Sequence, residues 1–370
     1  MTIRKEGAPI NHESEPDGAP PPCGLIPTLG FEGESIGAEQ NLAMWRQAVA
    51  AMFDVDVSFY DPTEIFRADL RAFAMGPVLF GRSRASRQRF ARDANTMARS
   101  GVDHLIVQLY TRGGFDGLAD DQPIAVRRGD ICVFDFGRTL ATEATEFENF
   151  NLVIPHSMLD AQLGNPDALH GLVLKSGSAM TEVLARHFLA LFELAPRLTI
   201  GECEAVVEGT IAMTTACLRG AVAERYSESN PSEVSLIRIR RFVDANIKSP
   251  ALSADTIARE FGLSRASLYR RFDALGGVAE YIRRRRLHGA FFDLAAPALA
   301  ERRINEVSRS WGFASESAFI RAFRDYHGVT PGAVRAVARL GLQRRSGSSE
   351  GDVPNLTRWL IEITADYKRP

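Results

Sequence analysis

Apolar positions follow a helical spacing at both ends of the first two-thirds of the chain and a strand spacing between them. The first helical stretch runs from Asn41 to about Val57, and short runs of period two follow from about Ser58 to Pro155. Helical spacing returns from Leu169 to Leu194 and from Cys203 to Tyr226. The pattern predicts a β domain framed by helices. Its long helices either close that domain or form a dimerisation surface.

The period-two runs predict a small barrel. Leu105, Val107 and Leu109 point to one face of a strand. Gly129 and Asp130 form a predicted turn before the apolar run from Ile131 to Asp135, as in a hairpin of a barrel or jelly roll. Several such strands at short spacing favour a cupin-like β-barrel.

Composition divides the rest of the chain. The first 38 residues are rich in Gly, Pro and Glu without apolar periodicity, which predicts a disordered arm. Ser, Glu, Asn and Pro from Glu224 to Glu233 predict a linker, and a Gly/Ser-rich spacer follows Gly341. After it, Leu356, Trp359, Leu360 and Ile363 share a helical face, which favours a packing helix. The predicted units are 1–38, 39–225, 226–233, 234–340 and 341–370.

Charge is distributed unevenly over the 370 residues. The formal net charge is -2, but from Leu236 to Arg345 there are 21 Lys and Arg against 10 Asp and Glu, a net +11 that leaves -13 elsewhere. A basic block on an acidic protein is typical of a nucleic-acid-binding domain. A solvated basic face is the alternative on charge alone.

The four cysteines lie far apart without a C-x-x-C pair, and there is no N-terminal apolar signal segment and no run of 18 apolar residues. We therefore expect a reduced, cytoplasmic protein without a membrane partner.

The basic block contains an internal repeat. Ile257-Ala258-x-x-x-Gly262-Leu263 matches Val307-Ser308-x-x-x-Gly312-Phe313 at an offset of 50, and Leu268-x-Arg270-x-Phe272 matches Phe319-x-Arg321-x-Phe323 at an offset of 51. Each copy has the parts of a helix-turn-helix: a glycine for the tight turn, a serine to cap the second helix, and two apolar anchors one turn apart.

The anchors predict which side chains face outward. Leu268 and Phe272 hold the second helix of the first copy, and Phe319 and Phe323 hold that of the second copy. The predicted DNA-binding residues are Arg265, Ser267, Tyr269, Arg270, Arg271, Ser315, Glu316, Ser317, Ile320, Arg321 and Arg324.

The second copy resembles a known family. Gly312-Phe313-x-x-x-Ser317-x-Phe319-x-Arg321-x-Phe323, followed by Gly328-Val329-Thr330-Pro331, is similar to the second helix-turn-helix of AraC/XylS regulators. Upstream, Trp45-Arg46-x-Ala48-Val49 and the segment from Arg128 to Asp135 resemble the AraC-binding-like sensor domain. The chain departs from the family pattern at Ser308, at Trp311 and in a shorter loop from Gly277 to Tyr281.

The resemblance implies an α+β chain: an N-terminal cupin-like β-barrel with flanking helices, then an all-α domain of two helix-turn-helix units. It implies a transcription regulator that binds operator DNA and a small-molecule effector, is a homodimer, and has RNA polymerase as a further candidate partner. No cofactor and no enzymatic activity are expected. The sequence does not indicate which residues bind the effector.

Other classes of function lack their residues. His104 and His156 have no His-x-His pair, so a cupin metal site is not expected. A DNA-repair alkyl acceptor needs a reactive thiol, whereas Cys132 lies in an apolar strand. A regulator without a ligand, whose N-terminal domain only dimerises or binds a protein partner, stays the main alternative.

The run from Arg283 to Arg286 covers four consecutive helix positions that point in different directions. We therefore expect solvated or phosphate-facing roles for most of this run, with at least one arginine turned inward or paired with an acid.

Overall fold

In the residues that the structure describes, the N-terminal half contains twelve strands in two antiparallel sheets. The computed structural model describes residues 24–61, 63–100, 102–156, 158–159, 168–227, 231–273, 276–296, 299, 302–336, 338, 356 and 359–360. Its strands are β1 (Thr28–Phe31), β2 (Asp54–Asp56), β3 (Ala68–Met75), β4 (Val78–Ala85), β5 (Gln88–Arg92), β6 (His104–Arg112), β7 (Phe115–Ala119), β8 (Gln122–Val126), β9 (Ile131–Asp135), β10 (Leu140–Ala144), β11 (Phe147–Pro155) and β12 (Leu172–Leu174).

The strands form a large and a small sheet. The seven-stranded sheet has the order β1-β3-β4-β11-β6-β9-β12, and the five-stranded sheet has the order β2-β5-β10-β7-β8. Apolar side chains from both sheets share one core, so the sheets face each other as in a cupin-like fold. They remain two sheets and do not close into one barrel. The turn at Gly129 and Asp130 joins β8 to β9, and so it crosses between the sheets and does not make a hairpin within one of them.

Both faces of the large sheet are buried. On β6, Ile106 and Tyr110 join the core between the sheets, while Leu105, Val107 and Leu109 join a second core on the outer face. This alternation is the one expected from the period-two pattern.

The helices are α1 (Ala38–Val49), α2 (Ala94–Ser100), α3 (Ala179–Leu194), α4 (Ile200–Ser227), α5 (Pro231–Ala245), α6 (Ala254–Glu260), α7 (Arg265–Phe272), α8 (Val278–Ala295), α9 (Ile304–Ser310) and α10 (Glu316–His327). The helices α3 and α4 cover the outer face of the large sheet, where Phe188 of α3 meets Phe80 of β4 edge to face at 5.5 Å between ring centroids.

Within the part of the chain that the structure describes, one helical stretch, Ile200–Ala223, is long and apolar enough by length and composition to cross a membrane. It lies within α4, and its Val207, Ile211 and Leu218 are buried in the core beside the large sheet. This stretch is therefore a packing helix of the N-terminal domain.

The structure differs from the sequence prediction at several element boundaries. The first helix ends at Val49, and residues Asp54–Asp56 form a strand. The helix predicted from Leu169 begins only at Ala179, because residues Leu172–Leu174 pair with β9. Part of the predicted arm also belongs to the fold, because Thr28–Phe31 pairs with β3, while residues 1–23 lie outside the described part of the chain.

The predicted linker is mostly helical. The helix α4 continues to Ser227 and α5 begins at Pro231, leaving residues 228–230 between them outside the described part. Proline is tolerated at the first position of a helix, where its missing N–H has no partner to lose, so polar composition alone misplaced the boundary.

The two halves of the chain pack directly on each other. Met97 and Ala98 of α2 join the same buried cluster as Phe291 of α8 and Phe323 of α10. At a neighbouring point, a side chain on Gly137 would lie 2.3 Å from Cε1 of His288, so the loop after β9 requires glycine there. The DNA-binding half therefore completes its core with residues of the sheet domain.

Candidate nucleic-acid interface

The first helix-turn-helix unit consists of α6 and α7. Ser253 Oγ accepts a hydrogen bond from the backbone N–H of Thr256 at 3.2 Å, and Ser264 Oγ accepts one from Ser267 at 3.1 Å. Gly262 in the turn has φ +61°, a conformation that side-chain-bearing residues rarely adopt. Both serine caps and the glycine turn are therefore confirmed.

The second unit repeats this geometry. Its helices α9 and α10 begin 50 and 51 residues after α6 and α7, as the internal repeat predicts. Gly312 has φ +75°, and Ser315 Oγ accepts a hydrogen bond from the backbone N–H of Ala318 at 3.4 Å. The first helix lacks a serine cap, and the backbone N–H of Arg303 donates instead to Glu306 Oε2 at 3.1 Å.

The four predicted anchors lie in the core. Leu268, Phe272, Phe319 and Phe323 are all fully buried. Opposite these anchors, the exposed predicted DNA-binding residues are Arg265, Tyr269, Arg270, Ser315, Glu316, Ser317, Arg321 and Arg324, while Ser267, Arg271 and Ile320 are half-buried. Each second helix therefore combines a buried apolar stripe with an exposed polar face.

Three of the predicted residues of the first unit already have partners within the protein. The Arg265 guanidinium makes a two-pronged ion pair with the Asp255 carboxylate on α6, and Arg271 Nη1 donates to Ser267 Oγ at 2.7 Å. The hydrogen bond from Arg265 lowers the pKa of Asp255. Asp255 was not predicted to take part, because it lies on the preceding helix and ten residues before its partner.

The arginine run splits into structural and exposed members. Arg286 Nε and Nη2 donate to the carbonyls of Ile247 and Ser249, each at 2.9 Å, and its Nη1 lies 3.5 Å from the carbonyl of Gly312. Arg285 Nε pairs with Asp244 at 2.8 Å. The expected inward or paired arginine is confirmed, and Arg286 connects the segment before the first unit to the turn of the second.

Trp311, where the chain departs from the family pattern, packs against a glycine of α8. A side chain on Gly289 of α8 would lie 1.9 Å from the Trp311 ring, so the indole occupies the space that a larger residue would need. Trp311 Nε1 donates to Asp293 Oδ2 at 2.7 Å, and Lys248 Nζ lies 4.3 Å from the ring centroid. The large residue at this turn is therefore accommodated without opening the core.

A cavity of about 70 Å³ lies between the two sheets. Its wall is mainly apolar and aromatic, with contributions from Trp45, Phe53, Phe90 and Phe147. Among the described residues, the polar side chains of the wall are all uncharged: Ser83, Gln108, Tyr110, Thr142, Asn149 and Asn151. Burial raises the pKa of Tyr110, so its phenol stays neutral.

Four of the polar residues of the cavity form a hydrogen-bonded chain. Gln108 Nε2 donates to Asn151 Oδ1 at 2.7 Å, and Asn151 Nδ2 donates to Asn149 Oδ1 at 2.9 Å and to Ser83 Oγ at 3.3 Å. Sequence reasoning assigned no effector residues. The available signal was Gln108, a polar residue that shares the inward face of its strand with Ile106 and Tyr110.

A buried aspartate, a partly exposed aspartate and a histidine lie close together near the contact between the two halves of the chain. Asp135 Oδ1 accepts from His156 Nε2 at 3.1 Å and from the backbone N–H of Gly137 at 2.7 Å, and Asp103 Oδ1 lies 3.5 Å from the same His156 nitrogen. Burial opposes ionisation of Asp135, yet the neighbouring histidines hold its pKa below the usual range. These three residues place ligand atoms close enough to one another for a metal ion, and a hydrogen bond already joins two of them, His156 and Asp135.

The chain matches two family models. A model of the AraC-binding-like domain matches residues 45–219, and a model of a helix-turn-helix domain matches residues 257–336. The order and the positions agree with the two halves described above.

Relatives and solved structures resemble the chain over different lengths. The transcriptional activator NphR of a Rhodococcus species is 21% identical over 304 residues, covering 80% of this chain and 90% of that protein. The Msm operon regulatory protein of Streptococcus mutans is 32% identical over 111 residues, covering 29% of this chain and 38% of that protein. The crystal structure of the AraC-like transcriptional activator CuxR is 23% identical, covers 72% of this chain and 96% of that chain, and gives a TM-score of 0.49.

Both halves of the chain have the architecture of the domain whose model they match. The repeated, capped units and their exposed polar faces account for the helix-turn-helix match, and the pair of facing sheets accounts for the AraC-binding-like match. The chain belongs to the AraC family of DNA-binding transcription regulators, a family of non-enzymes.

Proposed function

We propose that α7 and α10 are the recognition helices and that one protomer reads a long, asymmetric half-site of operator DNA. The observation that carries this proposal is the repeated geometry, in which each helix begins at a serine cap and turns its polar face outward. Two such helices held on one scaffold would enter the major groove at positions about one turn, roughly 34 Å, apart.

The position along each recognition helix suggests the role of each residue. The N-terminal part of a recognition helix contacts base edges, so Arg265, Ser267, Glu316 and Ser317 are assigned to base contacts. The later residues Arg271 and Arg324 are assigned to phosphates.

The residues in the middle of each recognition helix are divided between base contacts and phosphate contacts. We assign Arg270 to a base and Arg321 to a phosphate, with Ser315, Tyr269 and Ile320 at the edge of the contact. The Asp255 carboxylate is paired with Arg265 in the free protein. Base contact by Arg265 therefore requires either that this ion pair opens or that Arg265 binds the base while it stays paired with Asp255.

Selection of bound sites from a random DNA pool tests the half-site. We expect two clusters of specified bases whose centres lie about 10 base pairs apart. A single cluster would mean that only one helix-turn-helix unit reads sequence.

We also propose that a small-molecule effector binds between the two sheets of the N-terminal domain and controls DNA binding. The cavity there carries this part, since an apolar wall with a few placed polar groups is the usual composition of a ligand site. A thermal-shift screen of the full chain with aromatic amines, acids and sugars provides the test. A saturable rise in melting temperature with one class supports an effector.

A regulator without an effector is the second candidate. The small size of the cavity favours this candidate. Leu356 and Leu360 of the chain's own tail form part of the wall, so the space between the sheets is already largely filled by the protein itself. In that case no compound class raises the melting temperature, and the N-terminal domain only dimerises or binds a protein partner.

We propose that the functional unit is a homodimer formed through α3. Met180, Val183 and Leu194 lie on one side of this helix and are each about half exposed, an unusual exposure for three large apolar side chains on one face. Light scattering should give a dimer for the natural chain and a monomer for Val183→Glu.

We also propose that the regulator acts in the cytoplasm and contacts RNA polymerase.

A further inference from the structure

The end of the chain returns to the N-terminal domain. Leu356 and Leu360 are buried in the core between the two sheets, with Trp359 packed against it, although all three follow the DNA-binding half in sequence. The carbonyl of Leu360 accepts a hydrogen bond from His104 Nε2 of β6 at 2.9 Å, across 256 residues of sequence. The tail is therefore seated at a defined place in the sheet domain.

The two leucines form part of the wall of the inter-sheet cavity. The remaining cavity is about 70 Å³. An engineered apolar cavity that accepts benzene measures roughly 150 Å³, so the space left here is too small for even one aromatic ring. Two leucine side chains together are larger than a benzene ring, and their withdrawal would provide the missing space.

The lining excludes charged ligands. None of its described residues carries a formal charge at neutral pH, and moving an unpaired charge from water into such a site costs far more than its apolar contacts return. An uncharged polar group has partners, because the amides of Gln108, Asn149 and Asn151 lie in the wall. Gln108 Oε1 receives a weak contact from Cys132 Sγ at 3.9 Å, which leaves this oxygen able to accept a stronger hydrogen bond.

We propose that the inter-sheet cavity takes an uncharged small molecule with an aromatic or aliphatic body and one hydrogen-bond donor, in competition with Leu356 and Leu360 of the tail. This inference rests on the proposed effector function and adds the ligand class and the competing segment. Ligand entry displaces the leucines, and the donor pairs with Gln108 Oε1. The tail follows the DNA-binding half in sequence, so the same event changes how the C-terminal part of the chain contacts the sheet domain.

Three compounds of nearly the same shape test the ligand class. Benzamide is neutral with an amide donor, benzoate is an anion, and benzamidine is a cation. In calorimetric titration of the full chain, we expect benzamide to bind measurably more tightly than both charged compounds. Tighter binding of benzoate or benzamidine at this cavity would overturn the ligand class while leaving an effector function in place.

Variants of the tail test the competition. Leu360→Ala should bind benzamide at least about tenfold more tightly than the natural chain, because the ligand no longer has to displace a full leucine side chain. Leu360→Val removes less volume and should give a smaller gain, and it keeps the test open if the alanine variant does not fold. Leu189→Ala, which truncates an exposed leucine of α3, is the matched control and should bind like the natural chain.

Hydrogen exchange provides the readout of displacement. Saturating benzamide should speed exchange of the amides from residue 356 to residue 360 in the natural chain, and benzoate should leave them unchanged. Equal benzamide affinity for the natural chain and both Leu360 variants would show that the tail does not compete, even if the effector proposal holds. If no uncharged compound binds any folded variant while the broader screen finds a charged effector, the ligand class fails and the effector function stands.

Discussion

The two helix-turn-helix units share their framework and differ in the charge at the start of the recognition helix. In the first unit, Arg265 occupies the first position of α7 and is paired with Asp255. In the second unit, the equivalent position of α10 is Glu316, an exposed acid. The same buried anchors therefore present a basic N-terminal end in one unit and an acidic one in the other.

Their cores differ as well. The first unit packs Phe272 against Tyr281. The buried Arg240 guanidinium lies over the Tyr281 ring, with its Cζ 5.1 Å from the ring centroid. The second stacks Phe323 parallel to Phe291 at 5.9 Å and adds the half-buried His327. The two helix-turn-helix units thus keep the positions of their buried anchors, while their titratable groups and the charges on their exposed faces differ.

Loss of an anchor should be the largest effect in both units. Phe323→Ala and Phe272→Ala each remove a fully buried ring, and each should lower the free energy of unfolding by roughly 3 to 5 kcal/mol. Melting followed by circular dichroism measures the loss. Tyr269→Ala, about half exposed on α7, is the control, and its melting temperature should stay close to that of the natural chain. An unchanged melting temperature for Phe323→Ala would contradict its place in the core.

These anchors were predictable from sequence because they follow local rules. A glycine in a tight turn, a serine at a helix start and two apolar residues four positions apart depend on neighbours a few residues away. The succession of β and helical regions along the chain was predictable for the same reason, since period-two spacing and helical spacing are local patterns.

The remaining contacts depend on residues that the fold brings together. Gly289 becomes necessary only because Trp311 lies against it, and Asp255 becomes important only because α6 places it beside Arg265. The return of Leu360 to His104 joins opposite ends of the chain. No periodicity in one sequence encodes such pairs, so the cavity wall and the contact between the two halves were not predicted.

Removal of Arg265 should separate base reading from simple charge loss. Arg265→Ala should cost about 1 to 3 kcal/mol of binding free energy on the selected operator and little on variants at the base that it reads. Arg259→Ala, on the preceding helix, removes the same charge and should not change base preference. Binding titrations against single-base variants make the comparison. A uniform loss for Arg265→Ala would place this arginine on a phosphate.

Acid should affect the second unit through His327. Burial lowers the pKa of His327 to about 3, against 6.5 for an exposed histidine, so its ring is neutral in the folded chain. The unfolded chain takes up this proton first, and stability that is complete above pH 6.5 is lost as the pH falls toward 3. At pH 5 the loss should be about 2 kcal/mol.

His327→Gln isolates this contribution from those of the other buried histidines. The variant should lose about 2 kcal/mol less than the natural chain between pH 7.5 and pH 5, as measured by denaturant unfolding of the full chain. Parallel losses in both proteins would show that His327 takes up its proton equally easily in the folded chain.

The smallest expected effect is on the salt dependence of DNA binding. Arg324→Ala should weaken binding to all sequences alike and reduce the slope of log affinity against log salt by about one unit, as loss of one phosphate contact requires. Arg186→Ala, an exposed arginine of α3 in the N-terminal domain, should leave the slope unchanged. A change of base preference in Arg324→Ala would reverse the proposed orientation of α10 in the groove.

The contacts of Arg286 also constrain which operators the protein can tolerate. One guanidinium spans the carbonyls of Ile247 and Ser249 and reaches that of Gly312, so the two units cannot easily change their separation. Each base pair inserted between their two contact sites would rotate the second site by about 34° around the duplex. Natural operators should therefore keep a constant length within each half-site, whereas the gap between the half-sites of two protomers is not set by this contact.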